Sequence, residues 1–192
     1  GAVLKTHARV REITVDGRGL ADGVVYYDSD GVAHRQRARV VVLACNGIGT
    51  PRLLLNSSSS LFPDGLANGS GLVGKNLMFH PYTMITGVFD HDLEGYKGPL
   101  GCSIVSHEFY ETDTARGFVR GYIFQVARSA GPVHTALGFI GTKTIPWGGD
   151  HRRVFDERFG RTVTLAACSE DLPETLNQVS LDPERTDSNG IA

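Results

Sequence analysis

The stretch Val40-Val41-Val42-Leu43-Ala44-Cys45-Asn46-Gly47-Ile48-Gly49-Thr50-Pro51-Arg52-Leu53-Leu54-Leu55 decides how this chain is read. Residues 40–45 form a continuous apolar run. A strand with no polar face is covered on both sides, as in the parallel sheet of an α/β domain. Two glycines follow, then Thr50 as an N-cap and Pro51 at the first helical position, where proline is tolerated. The expectation is a buried strand, a glycine-containing loop and a helix N-terminus. Backbone N–H groups at such a junction can face an anion, and glycine lets a ligand come close. The same glycines can equally serve only a tight strand-to-helix turn. The loop is not GxGxxG, and the chain has no GxxxxGK[ST].

Upstream, three strands are expected at 3–13, 23–27 and 32–39. Asp16-Gly17-Arg18-Gly19 and Asp28-Ser29-Asp30-Gly31 separate them, because Asp and Gly tolerate the positive φ of tight turns. Together they make a three-stranded meander. Ser57-Ser58-Ser59-Ser60 ends the helix, and the glycine- and asparagine-rich stretch 62–81 reads as a loop with short turns. Beyond it the pattern is mostly extended. Strands are expected at 83–89, 103–108, 117–125 and 162–168, a helix at 151–159, and a turn with a short strand at 172–183. The fold class is α+β: a partial α/β domain over 1–81 and an antiparallel-sheet domain over 82–192.

Composition narrows the function. The net charge of -2 and the absence of a clustered basic face argue against a nucleic-acid partner. His34-Arg35-Gln36-Arg37-Ala38-Arg39 reads as the solvated face of a strand. No window reaches the about 18 apolar residues of a membrane span. Cys45, Cys102 and Cys168 are odd in number and far apart, which argues against a disulfide framework or zinc site; a reducing compartment fits. There is no GxSxG elbow, and Ser70 lies in a polar loop with no preceding strand. None of the seven histidines sits in HExxH. His80, before Pro81, could approach a ligand or satisfy loop backbone groups. Asp90-His91-Asp92 lies in a turn pattern. Trp147 could line a pocket or plug a core edge.

The 40–55 stretch resembles a signature segment of the glucose–methanol–choline (GMC) oxidoreductases. Gly65-Leu66-Ala67-Asn68-Gly69-Ser70-Gly71-Leu72-Val73-Gly74-Lys75-Asn76-Leu77-Met78-Phe79-His80-Pro81 is similar to the segment that follows in that family. Glu170-Asp171-Leu172-Pro173 with Asn177-Gln178-Val179-Ser180-Leu181-Asp182-Pro183 resembles a later block, and the flavour is that of bacterial gluconate and sugar dehydrogenases. The run of four serines, Cys45, Asn46 and Phe79 depart from the common pattern. The resemblance implies that 1–81 is the middle of an FAD-binding domain and 82–192 an incomplete substrate domain. It implies that Val10 lies against the adenine of FAD, and that Ala44, Cys45, Asn46 and Gly47 lie near its ADP part. It also implies an internal fragment. The GxGxxG and the catalytic histidine would stand outside this chain, on the same polypeptide or a second one, so no residue here is assigned as catalytic. The implied reaction is hydride transfer from a sugar, polyol or other alcohol to FAD, with an unidentified electron acceptor. The chain alone is expected to be inactive and to retain little FAD. The competing reading is a stand-alone carbohydrate- or partner-binding domain. Either way, an apolar run without sheet neighbours would favour self-association.

Overall fold

Turn chemistry builds the first sheet of the computed structural model, which describes residues 1–98, 101–128, 130–138 and 145–192. Strand β1 (Arg9–Val15), β2 (Ala21–Tyr27) and β3 (Ala33–Arg37) form an antiparallel meander in the order β1-β2-β3. The Asp16 carboxylate accepts from the Arg18 and Leu20 N–H groups, and Asp28 accepts from Asp30 and Val32. Each aspartate thus supplies side-chain bonds that hold its own hairpin turn. The β1–β2 register shifts between Val10 and Glu12 and again between Thr14 and Val15. Such bulges sharpen strand twist locally.

Helix α1 (Asn46–Asn56) packs against β1. Leu53 on the helix, Ile13 on β1, Tyr26 on β2 and Ile191 form the buried apolar centre of this part. Ser57, only 4% exposed, follows the helix. Its hydroxyl donates to the Leu53 carbonyl (2.7 Å) and accepts from the Ile13 N–H (2.8 Å). One side chain therefore closes the last helical turn and satisfies a buried donor of the sheet.

The expected buried strand at 40–45 is not formed. After Arg37 the chain leaves the sheet, with a last bond from the Ala38 N–H to the Asp22 carbonyl. Residues 40–44 have no strand partner, and Val40 and Val42 are 75% and 83% exposed. A strand exists only through its ladder, and among the described residues none lies on either flank. Val41 and Leu43 are half-buried, so the run is covered on one side only by the described residues. The expected helix start at Thr50 is also corrected. The helix begins at Asn46, and Pro51 lies inside it. Asn46 tolerates its left-handed φ of 65°, and its Oδ1 accepts from the Ile48 and Gly49 N–H groups at 2.9 Å each. That capping is available four residues before Thr50 and wins.

The second sheet has the order β4-β7-β6-β5, antiparallel throughout. Its strands are β4 (Tyr82–Val88), β5 (Cys102–Ser106), β6 (Tyr122–Arg128) and β7 (Thr162–Ser169). β6 starts later than the sequence suggested: residues 117–120, which follow a 3-10 turn at Thr114–Arg116 capped by Asp113, form turn and bend and not strand. Helix α2 (Pro132–Leu137) was not foreseen, while α3 (Asp150–Arg158) matches the helical spacing at 151–159. The ion pairs Arg152–Asp156 and Arg153–Glu157 link successive turns of α3. Exposed i,i+4 pairs of this kind add only a little stability, because water and salt screen them.

The expected short strand within 172–183 is absent as well. Two main-chain bonds, Leu77 N–H to Asn177 and Val179 N–H to Gly74, hold this segment to the 74–77 turn without a ladder. Gly74 has φ 83° and sits so close to the Val179 carbonyl that a Cβ would clash with it. By contacts the chain divides into Gly1–Met78 with Leu172–Ala192, and Phe79–Asp171. The sequence reading drew its boundary after residue 81.

Replacing Ser57 by alanine should leave the Ile13 N–H buried and unpaired. The expected loss is about 1–3 kcal/mol in urea unfolding, whereas Ser58→Ala should change little.

Candidate functional site

The first unit carries a groove of about 710 Å³ beside the N-terminal half of α1. β1 contributes Val10 and its neighbours Arg9 and Arg11. The turn before the helix contributes Ala44 and Cys45, and the helix contributes Asn46, Ile48, Gly49, Arg52, Leu53 and Asn56. Ile191 closes it from the C-terminal segment. Four of the five residues singled out in the sequence, Val10, Ala44, Cys45 and Asn46, therefore line one wall system. Gly47 does not. It lines a neighbouring groove of about 350 Å³ with Thr50, Pro51, Leu54 and the 73–78 turn.

In the sequence Ile48 and Gly49 read as loop, with Gly49 allowing close approach of a ligand, and Arg52, Leu53 and Asn56 only as continuation of a helix. Their spacing (45, 48, 49, 52, 53, 56) is the i,i+3,i+4 stripe of one helical face, so the pattern was available. Ile191 had no such signal, since more than a hundred residues separate it from α1.

Polar chemistry in the groove is already partly committed. The N–H groups of Ile48 and Gly49, which could have faced an anion, are bonded to the Asn46 side chain. Arg52 is spent on its far side: Nε donates to the Ala192 main-chain oxygen (2.7 Å), and one Nη to Asp187 (3.0 Å) and the Ile191 carbonyl (2.6 Å). Asn56 donates to the same Ala192 oxygen at 3.1 Å. Asp187 also faces Arg9 at 3.7 Å. Burial pushes the Asp187 carboxyl upward, but the N–H groups of Asn189 and Ile191 and the Arg52 guanidinium outweigh it and hold the group below the ordinary carboxylate value. The groove thus has an apolar lining (Val10, Ile48, Leu53, Ile191), a basic rim, and no Asp or Glu among its described lining residues. Such a mix suits a flat, partly apolar ligand with polar edges.

The remaining candidates are placed elsewhere. The His80 ring stands 3.1 Å from the Ser169 carbonyl, so it satisfies loop backbone. His91 pairs with Asp90 at 2.7 Å on the surface, and no metal-holding cluster occurs among the described residues. Trp147 plugs no core edge: it is 88% exposed and stacks on His151. No described helix is long and apolar enough to cross a membrane.

The chain is similar in sequence to known proteins. Residues 1–82 match the GMC oxidoreductase family. The whole chain is 48% identical to a 2-methyl-1,2-propanediol dehydrogenase of Mycolicibacterium austroafricanum, covering 35% of that protein. It is 30% identical to the fructose dehydrogenase large subunit of Gluconobacter japonicus, covering 34% of it. Over 64% of its length it is 32% identical to a paromamine 6'-oxidase of Streptomyces fradiae, covering 24% of that protein. The chain belongs to the GMC oxidoreductases, a flavoprotein family acting on alcohols. It spans about a third of the length of the first two of these relatives.

Asn46 should be the sensitive position of the turn. Asn46→Ala loses the cap and puts alanine at a positive φ, for an expected loss of about 1–2 kcal/mol in chemical denaturation. Asn46→Gly should cost less, because glycine accepts that backbone. A pH dependence follows from Asp187. A carboxyl held below its unfolded value contributes stability above that value and loses it as pH falls through the folded one. Below about pH 4 the contacts of 187–192 with α1 should loosen, read as faster exchange of the Ile191 amide. Asp187→Asn should flatten that pH dependence.

Proposed function

We propose that this chain is part of an FAD-dependent oxidoreductase acting on CH–OH groups, with the groove beside α1 receiving the adenine end of FAD. The observation that carries the reading is the meeting of Val10, Ala44, Cys45 and Asn46 around that groove. They come from a strand and a turn more than thirty residues apart, and each was singled out before the fold was known.

The residues present fit the group. Val10, Ile48 and Leu53 offer an apolar surface for a flat ring, and Asn46, Arg9 and Asn56 offer polar edges. The helix start is self-capped by Asn46, so the groove suits a base and sugar better than a pyrophosphate. That agrees with a chain carrying no GxGxxG. FAD, when bound, supplies the acceptor for the hydride leaving the alcohol carbon. The part of the chain's own residues is to seat and orient. No histidine or carboxylate here is assigned as the base that takes the hydroxyl proton. The substrate is a small alcohol, polyol or sugar, the class named for the relatives. In this reading the second unit belongs to the substrate side, and the 192-residue chain by itself is inactive.

Ile48, half-exposed on the wall of this groove, tests the reading. In the flavin-loaded protein carrying this segment, Ile48→Glu should lose bound flavin several-fold, read as flavin absorbance per protein, with circular dichroism showing the variant folded. Unchanged occupancy would overturn the assignment of this groove. The 192-residue chain should purify without stoichiometric flavin, and a yellow preparation would overturn its assigned inactivity.

A further inference from the structure

The second unit carries a half-open pocket that the flavin reading leaves unused. It measures about 210 Å³ and lies between the sheet and the helices. β4 gives Met84 and Thr86, β7 gives Thr164, α2 gives His134 and α3 gives Arg158, with Ile145 at the side. Two arginines and a histidine line it, because Arg128 also reaches the wall, and its described lining contains no Asp or Glu.

Arg158 is half-buried at the end of α3. The ion pairs of that helix run through Arg152 and Arg153, and among the described residues no carboxylate pairs with Arg158. A guanidinium drawn partly out of water without a counter-charge is unfavourable until an anion meets it. The floor offers a further donor. Thr86 and Thr164 share one hydrogen bond at 2.8 Å, which uses one of their two hydroxyl protons and leaves the other to donate. Thr135 does not add to this, since its hydroxyl donates to the Gly131 carbonyl at 3.1 Å. Met84, on the same face of β4 as Thr86, and Ile145 supply apolar surface beside these groups.

We propose that this space binds a small organic carboxylate. Arg158 takes the carboxylate in a charge-assisted, fork-shaped contact, the Thr86–Thr164 pair donates to it, and Met84 and Ile145 cover a short alkyl body. At roughly 30 Å³ per water-sized group, the space holds a body of about seven non-hydrogen atoms, the size of a four- or five-carbon acid. Inorganic phosphate is compact and strongly hydrated, and it gains nothing from the apolar wall. The proposal does not rest on flavin binding.

Titration calorimetry on the 192-residue chain tests it, with sodium butyrate, butyramide and inorganic phosphate as probes. Butyrate should bind at least tenfold more tightly than the uncharged butyramide, and more tightly than phosphate. Arg158→Gln should weaken butyrate by tenfold or more, with Arg158→Lys between it and the parent. Thr164→Val should weaken it several-fold, and circular dichroism should show each variant folded. Equal binding of butyrate and butyramide would overturn the proposal. So would undiminished butyrate binding by a folded Arg158→Gln variant, or phosphate binding as tightly as butyrate.

Discussion

The hydroxyl of Ser57 is the joint on which the first unit turns. It bonds at once to the carbonyl of Leu53, inside the helix, and to the N–H of Ile13, inside the sheet. Apolar contact between Leu53 and the sheet is non-directional and would tolerate some sliding of the helix. A buried hydroxyl with two fixed partners does not, because misplacing it strands two polar groups away from water. The groove beside α1 inherits its shape from that restraint. Its one wall is β1, its other is the helix, and the two are set by a single side chain.

The C-terminal segment completes the same groove from a distance. Ile191 is buried, and Arg52 and Asn56 hold the backbone of Ile191 and Ala192 while Asp187 answers the guanidinium. The bonds are numerous because the contact is polar on one side and apolar on the other. In the second unit the equivalent role belongs to β7. It lies between β4 and β6, so its register fixes both. It also carries Thr164, a buried hydroxyl shared with Thr86 across the β4–β7 pair. Two buried hydroxyls, one per unit, each satisfied by a neighbour, therefore mark where helix meets sheet or strand meets strand.

The unpaired run at 40–44 shows what a local pattern leaves undetermined. Continuous β-branched residues specify a surface that wants cover on both faces, and nothing in that statement specifies what the cover is. Among the described residues of the first unit, the three-stranded meander lends no edge to the run. Val40 and Val42 therefore stand in solvent while Val41 and Leu43 are half-buried, next to a helix start that is well formed. The elements on either side are held by their own local chemistry, the aspartate turns of the meander and the Asn46 cap.

Much of the chain was legible before its fold was known, wherever short-range chemistry decides. Asp16 and Asp28 announced their turns, the extended pattern at 83–89 and 162–168 announced strands that form at 82–88 and 162–169, and the spacing at 151–159 announced a helix. Likeness to a family singled out Val10 and the 44–47 turn, residues far apart in sequence. The sequence could not show which of them meet. Asn46 outcompeted Thr50 as the helix start because a side-chain acceptor at a positive φ was worth more than a proline at the first position, a balance visible only in three dimensions. Gly47 turned to a different groove from its neighbours because successive residues of a helix start point about 100° apart. Ile191 reached the groove, and Arg158 the space above the second sheet, through chain reversals that no local pattern encodes. Periodicity and turn chemistry act over a few residues, so the sequence determined the elements. Closure of distant segments around a cavity depends on every intervening turn at once, and that was left to the tertiary structure.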